Sequence, residues 1–224
     1  MMSYLDKVLA IVRKDVVSEL RTREMLSSMF VFALLVIVIF NFAFDLRVEN
    51  QEAAAPGVLW VAIVFAGMLG LNRSFITEKD RGCMEGLLLC PVDRGTIYLG
   101  KMVGNLLFMA TMEAIILPVF GAFFDLPVFS PGLLLIVLLG TLGFAAVGTL
   151  FSAIAVHTRT REIMLPILLL PVAVPVLVAA VKATGEALAS TPAASSGPWL
   201  SVLIGFDAIF LTAAFLTFEY VFQE

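Results

Sequence analysis

FITEKDRGCMEGLLLCPVDRGTIYLGK, residues 75–101, is a charged interruption between two long apolar runs. The chain of 224 residues is 61% hydrophobic and 14% charged, with a mean hydropathy of +1.04. An average soluble domain is roughly 45–50% apolar, and a water-soluble fold could not hide the excess. In so apolar a chain, the gathering of Glu78, Lys79, Asp80, Arg81, Glu85, Asp93, Arg94 and Lys101 belongs in water. Residues 77–101 are therefore a solvated loop between two membrane spans, and the chain is an integral membrane protein. The net charge of -4 and the pI near 5.1 point to neither nucleic acid nor an acidic substrate, because in such a protein the distribution of charge outweighs its sum.

Outward from this loop, a span needs about 20 mostly apolar residues to cross about 30 Å of hydrocarbon. Six segments qualify: Met25–Phe44, Val58–Ile76, Gly104–Phe124, Gly132–Val156, Ile163–Val181 and Trp199–Tyr220. Met1 to Glu24 carries basic residues throughout and leads into an apolar run with no small-residue cleavage site, so the first span is expected to stay in the product. Lys and Arg are retained on the cytoplasmic side. With the N-terminus inside, twelve of the fourteen basic residues fall on that side, leaving only Arg47 and Lys182 outside. Both termini and the opening loop are thus expected in the cytoplasm, with Trp60 and Trp199 at the outer interface. The expected fold is all-α: six transmembrane helices forming one domain over 1–224, with a cytoplasmic amphipathic helix at 1–24, two spans in 25–76, the loop at 77–101 and four spans in 102–224.

Two amphipathic segments flank the membrane. Within the loop, Cys83, Met84, Leu87 and Leu88 share one side of a helix, Glu78, Arg81 and Glu85 flank them, and Pro91 stops it. By shape this is a docking surface; the alternative is a helix resting on lipid headgroups. At the N-terminus, Leu5, Val8, Leu9, Val12, Val16 and Leu20 cover an arc of about 120°, as expected for a helix in the inner lipid interface. Glu19 lies near that arc.

Inside the bilayer, Glu113 falls near the middle of the third span and Asp207 in the outer third of the sixth. Such carboxylates are costly and mark either a pathway or an interhelix polar contact. Thr141, Ala145, Thr149 and Ala153 recur at four-residue intervals beside Gly140, Gly143 and Gly148, a face for close helix packing between spans or between two copies. Pro166, Pro171 and Pro175 each remove a backbone donor, so the fifth span is expected to kink or break. The polar stretch ATGEALASTPAASSG at 183–197 is then an outer re-entrant turn or small helix.

No Walker lysine motif, H-E-x-x-H, C-x-x-C-H or G-x-S-x-G occurs, so no enzyme is expected and any energy source comes from another chain. Cys83, Cys90 and His157 are too few for a disulfide framework or a zinc site. No bound metal or cofactor is expected.

EKDRGCMEGLLLCPVDRGTIYLGK, residues 78–101, is similar to the cytoplasmic loop of ABC-type export permeases, where a coupling helix fits a groove on the ATPase. More narrowly, APGVLWVAIVFAGMLGLNRSF (55–75), LLLCP (87–91) and LPILLLPVAVPVLV (165–178) resemble the CcmB family, membrane permeases of the haem exporter used in cytochrome c maturation. The resemblance covers essentially the whole chain. It departs at Asn72-Arg73-Ser74-Phe75, where the family has an acidic–basic pair before its apolar residue and Phe, and at HTRTRE (157–162), which lacks paired glycines. Glu113 and Asp207 match no family motif.

What the resemblance implies is a permease of the bacterial inner membrane acting as a homodimer, with lipid around it. Its partners are a separate ATPase (CcmA), CcmC, the small CcmD and the periplasmic haem chaperone CcmE. ATP is used by the ATPase subunit, and haem is the handled ligand. Docking then falls to Glu78, Asp80 and Glu85 as carboxylates, Leu87 and Leu88 as apolar insert, Gly82 and Gly86 for close approach, and Pro91 as the stop. The rival readings are an export permease for a lipid, drug or polysaccharide, and a non-transporting membrane scaffold. A secondary transporter would show an inverted repeat, and none is found.

Overall fold

A computed structural model describes residues 4–45, 51–80, 82, 92–156, 158, 160–189 and 197–221, and all regular structure among them is helical. A short helix, α1 (Tyr4–Thr22), precedes six long ones: α2 (Glu24–Asp45), α3 (Gln51–Asp80), α4 (Arg94–Phe124), α5 (Pro131–Ala155), α6 (Arg161–Leu188) and α7 (Gly197–Val221). All six are long and apolar enough to cross a membrane, and the chain is a multi-pass membrane protein. At about 1.5 Å per residue, the 30 residues of α3 and 31 of α4 exceed what about 30 Å of hydrocarbon requires. The end of the bundle from which the opening loop leaves α3 and enters α4 is the Lys101 end, and the opposite end is the Trp60 end.

Local chemistry sets the helix boundaries. Arg23 takes a left-handed conformation (φ 53°) between α1 and α2, and its N–H bonds the Glu19 carbonyl at 2.7 Å. The Glu19 carboxylate, 9% exposed, accepts the Leu26 N–H at 2.8 Å, satisfying one of the orphan donors in the first turn of α2. The acid that disturbs the apolar arc of α1 is therefore the cap that fixes the elbow. Asp125 closes α4 in the left-handed region, its N–H bonding the Gly121 carbonyl. Ser130 then caps α5 by accepting the Leu133 N–H, with Pro131 at the first helical position.

The core is α3 and α5. Of their most apolar stretches 72% and 67% is buried, against 22% for both α2 and α7, so the latter form the periphery. Helix α5 meets α3, α4, α6 and α7. Its glycines make this crowding feasible: a Cβ at position 140 would overlap the Trp60 ring, one at 143 would overlap Asp207 Oδ1, and one at 148 would overlap Leu71. The small-residue face thus serves contacts between neighbouring spans of one chain.

Three expectations change. Trp60 is 2% exposed and donates to Thr184 Oγ1 at 3.0 Å, so it sits inside the bundle, because Gly140 leaves room for the ring and Thr184 supplies an acceptor. Helix α6 runs unbroken through its three prolines and on to Leu188, without an early outer turn. Pro171 and Pro175 lie on its exposed side, while Leu165, Leu169, Ala173 and Val176 keep an uninterrupted buried row. On α1, Ile11 and Val12 are buried, Ile11 against Gly100 of α4, whereas Leu5, Leu9 and Leu20 remain more than 60% exposed. The apolar arc is therefore divided between packing on the bundle and an outward face.

Candidate functional site: the loop stems and the buried polar contacts

Of the residues assigned to ATPase docking, Glu78 and Asp80 belong to the last turn of α3. Gly82 is exposed in a turn at φ 65°, where a side chain would be strained, and its N–H bonds the Lys79 carbonyl at 3.0 Å. Glu85, Gly86, Leu87, Leu88 and Pro91 lie outside the described residues, as do Cys83, Cys90 and His157.

The structure does describe how this loop is held. On the incoming stem, Lys79 Nζ donates to the Val156 carbonyl at the end of α5, at 2.5 Å. On the outgoing stem, Arg94 donates to the Glu219 carbonyl in the last turn of α7, at 3.0 Å. The last four carbonyls of a helix lack an intrahelical donor and carry the negative end of its dipole, so both cations sit where a helix end favours them. Two turns further into α4, Lys101 is 1% exposed. Its ammonium pairs with Asp15 of α1 at 2.9 Å, donates to the Ser74 carbonyl of α3 at 3.1 Å and lies 5.4 Å from the centre of the Phe75 ring. Lys101, expected in water with the rest of the loop's charge, is instead the buried tie among three helices. The charge is tolerable there because a carboxylate, a carbonyl and a ring face replace its hydration.

The residues missed from sequence at this end are Asp15, Lys79, Arg94 and Lys101 as structural groups. Asp15 did leave a signal: at about 100° per residue it falls between Val8 and Ile11, on the face α1 turns to the bundle.

Deeper in the bundle, α4 and α5 are joined by two polar contacts in antiparallel register. Thr141 donates to Glu113 Oε1 at 2.5 Å; eight residues back along α4 and eight on along α5, Asn105 donates to Thr149 Oγ1 at 2.9 Å. Glu113 is therefore an interhelix contact. Asp207 differs: it is 5% exposed, and neither carboxylate oxygen has a hydrogen-bond partner among the described residues. It faces Gly143, two residues from Thr141 and hence about 200° around α5. The two intramembrane acids thus lie on opposite sides of α5 and do not form one site.

The tethers of the Trp60 end are indole N–H groups in place of cations. Besides the Trp60–Thr184 bond, Trp199 Nε1 donates to Glu186 Oε1 at 3.0 Å, so both indoles are hydrogen-bonded to α6.

Residues 6–221 match the family model described as CcmB protein. The chain is 30% identical over 179 residues to Heme exporter protein B of Pseudomonas aeruginosa, covering 80% of each chain. It is 24% identical over 203 residues to the protein of that name from Bradyrhizobium diazoefficiens, covering 90% of each. With the Haemophilus influenzae protein of that name it shares 26% over 171 residues, 76% of this chain and 77% of that one. A match running from the first turn of α1 to the end of α7, through every span and the loop, leaves no part of the fold to another family: the chain belongs to the CcmB family.

Proposed function

We propose that this chain is the membrane permease subunit of an ABC-type haem exporter serving cytochrome c maturation, driven by a separate ATPase. The observation that carries the reading is the family match across residues 6–221, with relatives named for haem export and six spans to house a permease. The chain itself does no ATP chemistry; hydrolysis belongs to a CcmA-type subunit docked on residues 78–91. Glu78, Asp80 and Glu85 face basic groups of that subunit, Leu87 and Leu88 insert, Gly82 and Gly86 allow close approach, and Pro91 ends the helix. CcmC and CcmD complete the membrane complex, CcmE receives haem on the far side, and two copies of this chain stand over two ATPases. The Lys101 end faces the cytoplasm of an inner-membrane complex, as the clustering of Lys and Arg there favours.

The test is complementation. Supplied to cells deleted for their own CcmB-type permease, the chain restores covalent haem in periplasmic c-type cytochromes and co-purifies with the ATPase. Restoration of the export of another substrate, with cytochromes still lacking haem, would assign it to a different exporter.

A further inference from the structure

The segment 81–91 is bordered by two cations, Lys79 before it and Arg94 after it, and each grips a different helix. Lys79 holds the end of α5 and Arg94 the end of α7, and these two helices meet at Gly143 and Asp207. We infer that Lys79 and Arg94 are positioning residues that turn a displacement of the loop into movement of α5 against α7. This rests on reading the loop as the ATPase-docking segment.

Three features support the assignment. There is little slack, since Lys79 stands two residues before Arg81 and Arg94 three after Pro91. The gripped helices suit transmission: α3, α4 and α6 carry prolines in their interiors, whereas those of α5 and α7 stand in the first turn, and an interior proline is a common cause of a kink. The contact they work is also poorly satisfied, because Asp207 is buried there without a partner among the described residues and gives up hydration for nothing. At Asp207 the α5–α7 contact lacks the side-chain hydrogen bonds that Glu113 and Asn105 give the α4–α5 contact.

The experiment uses the intact complex, with its ATPase, in lipid nanodiscs. The parent chain is compared with K79M/R94M and with the charge-conserving K79R/R94K. Spin labels at Thr158→Cys and Thr217→Cys, in a background with Cys83 and Cys90 replaced by serine, report the distance between the ends of α5 and α7. In the parent this distance changes when ATP binds. In K79M/R94M the ATPase stays bound and hydrolyses ATP, the distance no longer responds, and haem-loaded chaperone released per ATP falls about tenfold; K79R/R94K recovers most of both. A distance change and a release ratio equal to the parent's in K79M/R94M would overturn the inference. Loss of the ATPase from that variant alone would overturn it too, by giving the two cations to docking. A parent chain that holds no ATPase is a different failure, that of the docking reading itself.

Discussion

The two ends of the bundle are held by different chemistry. At the Lys101 end the tethers are cations on carbonyls and a carboxylate: Lys79 on α5, Arg94 on α7, and Lys101 on α1 and α3. At the Trp60 end they are indole N–H groups donating to Thr184 and Glu186, both on α6. The cationic tethers tie α5 and α7 to the stems of the loop, while the indole tethers tie α6 to α3 and to the start of α7. A force applied at the loop enters α3 and α4 and passes through these two grips to α5 and α7, while α6 is tied at the far end.

The contrast breaks most readily at Lys101. Removing one member of a buried, hydrogen-bonded ion pair costs about 3–5 kcal/mol, and because Asp15 is partly open to solvent the low end of that range is expected for Lys101→Met. Thermal unfolding in detergent should show the loss, and hydrogen exchange should show α1 losing protection before the spans. At the opposite end, Trp60→Phe removes one hydrogen bond and part of a buried ring, about 1–2 kcal/mol, with no dependence on salt. The smallest effect is expected at Arg73, whose 2.7 Å bridge to Glu24 is exposed. Arg73→Met should cost less than about 1 kcal/mol, and the difference from the parent should shrink at high salt. If Lys101→Met were as mild and as salt-sensitive as Arg73→Met, the Lys101 end would be a solvated surface and the comparison would fail.

The spans were legible because length and hydropathy alone separate a membrane helix from a loop. What stayed hidden depends on partners distant in sequence. Lys101 looks like one more cation of a solvated loop until Asp15, 86 positions earlier, is brought beside it. Trp60 looks interfacial because nothing local reveals that Gly140 and Thr184 make a slot for it. Glu113 and Asp207 read alike as span carboxylates; they differ only in whether α5 presents a threonine or a glycine. In α6 three prolines suggest a break, yet the helix runs from Arg161 to Leu188, with Pro171 and Pro175 on its exposed side and an uninterrupted buried row opposite.

The proposed docking of the ATPase on residues 78–91 is read out most directly by co-purification with the variant Leu87→Ala/Leu88→Ala. Truncating a well-packed interface anchor costs roughly 2 kcal/mol or more, so the pair should release the ATPase. The variant should insert in the membrane at the parent's level and keep the parent's unfolding temperature, while c-type cytochromes lose their haem. Glu85→Lys, a charge at the rim, should weaken assembly only in a salt-dependent way. A double variant that retains a full complement of ATPase and matures cytochromes normally would contradict the account, leaving residues 78–91 as a helix that rests on lipid.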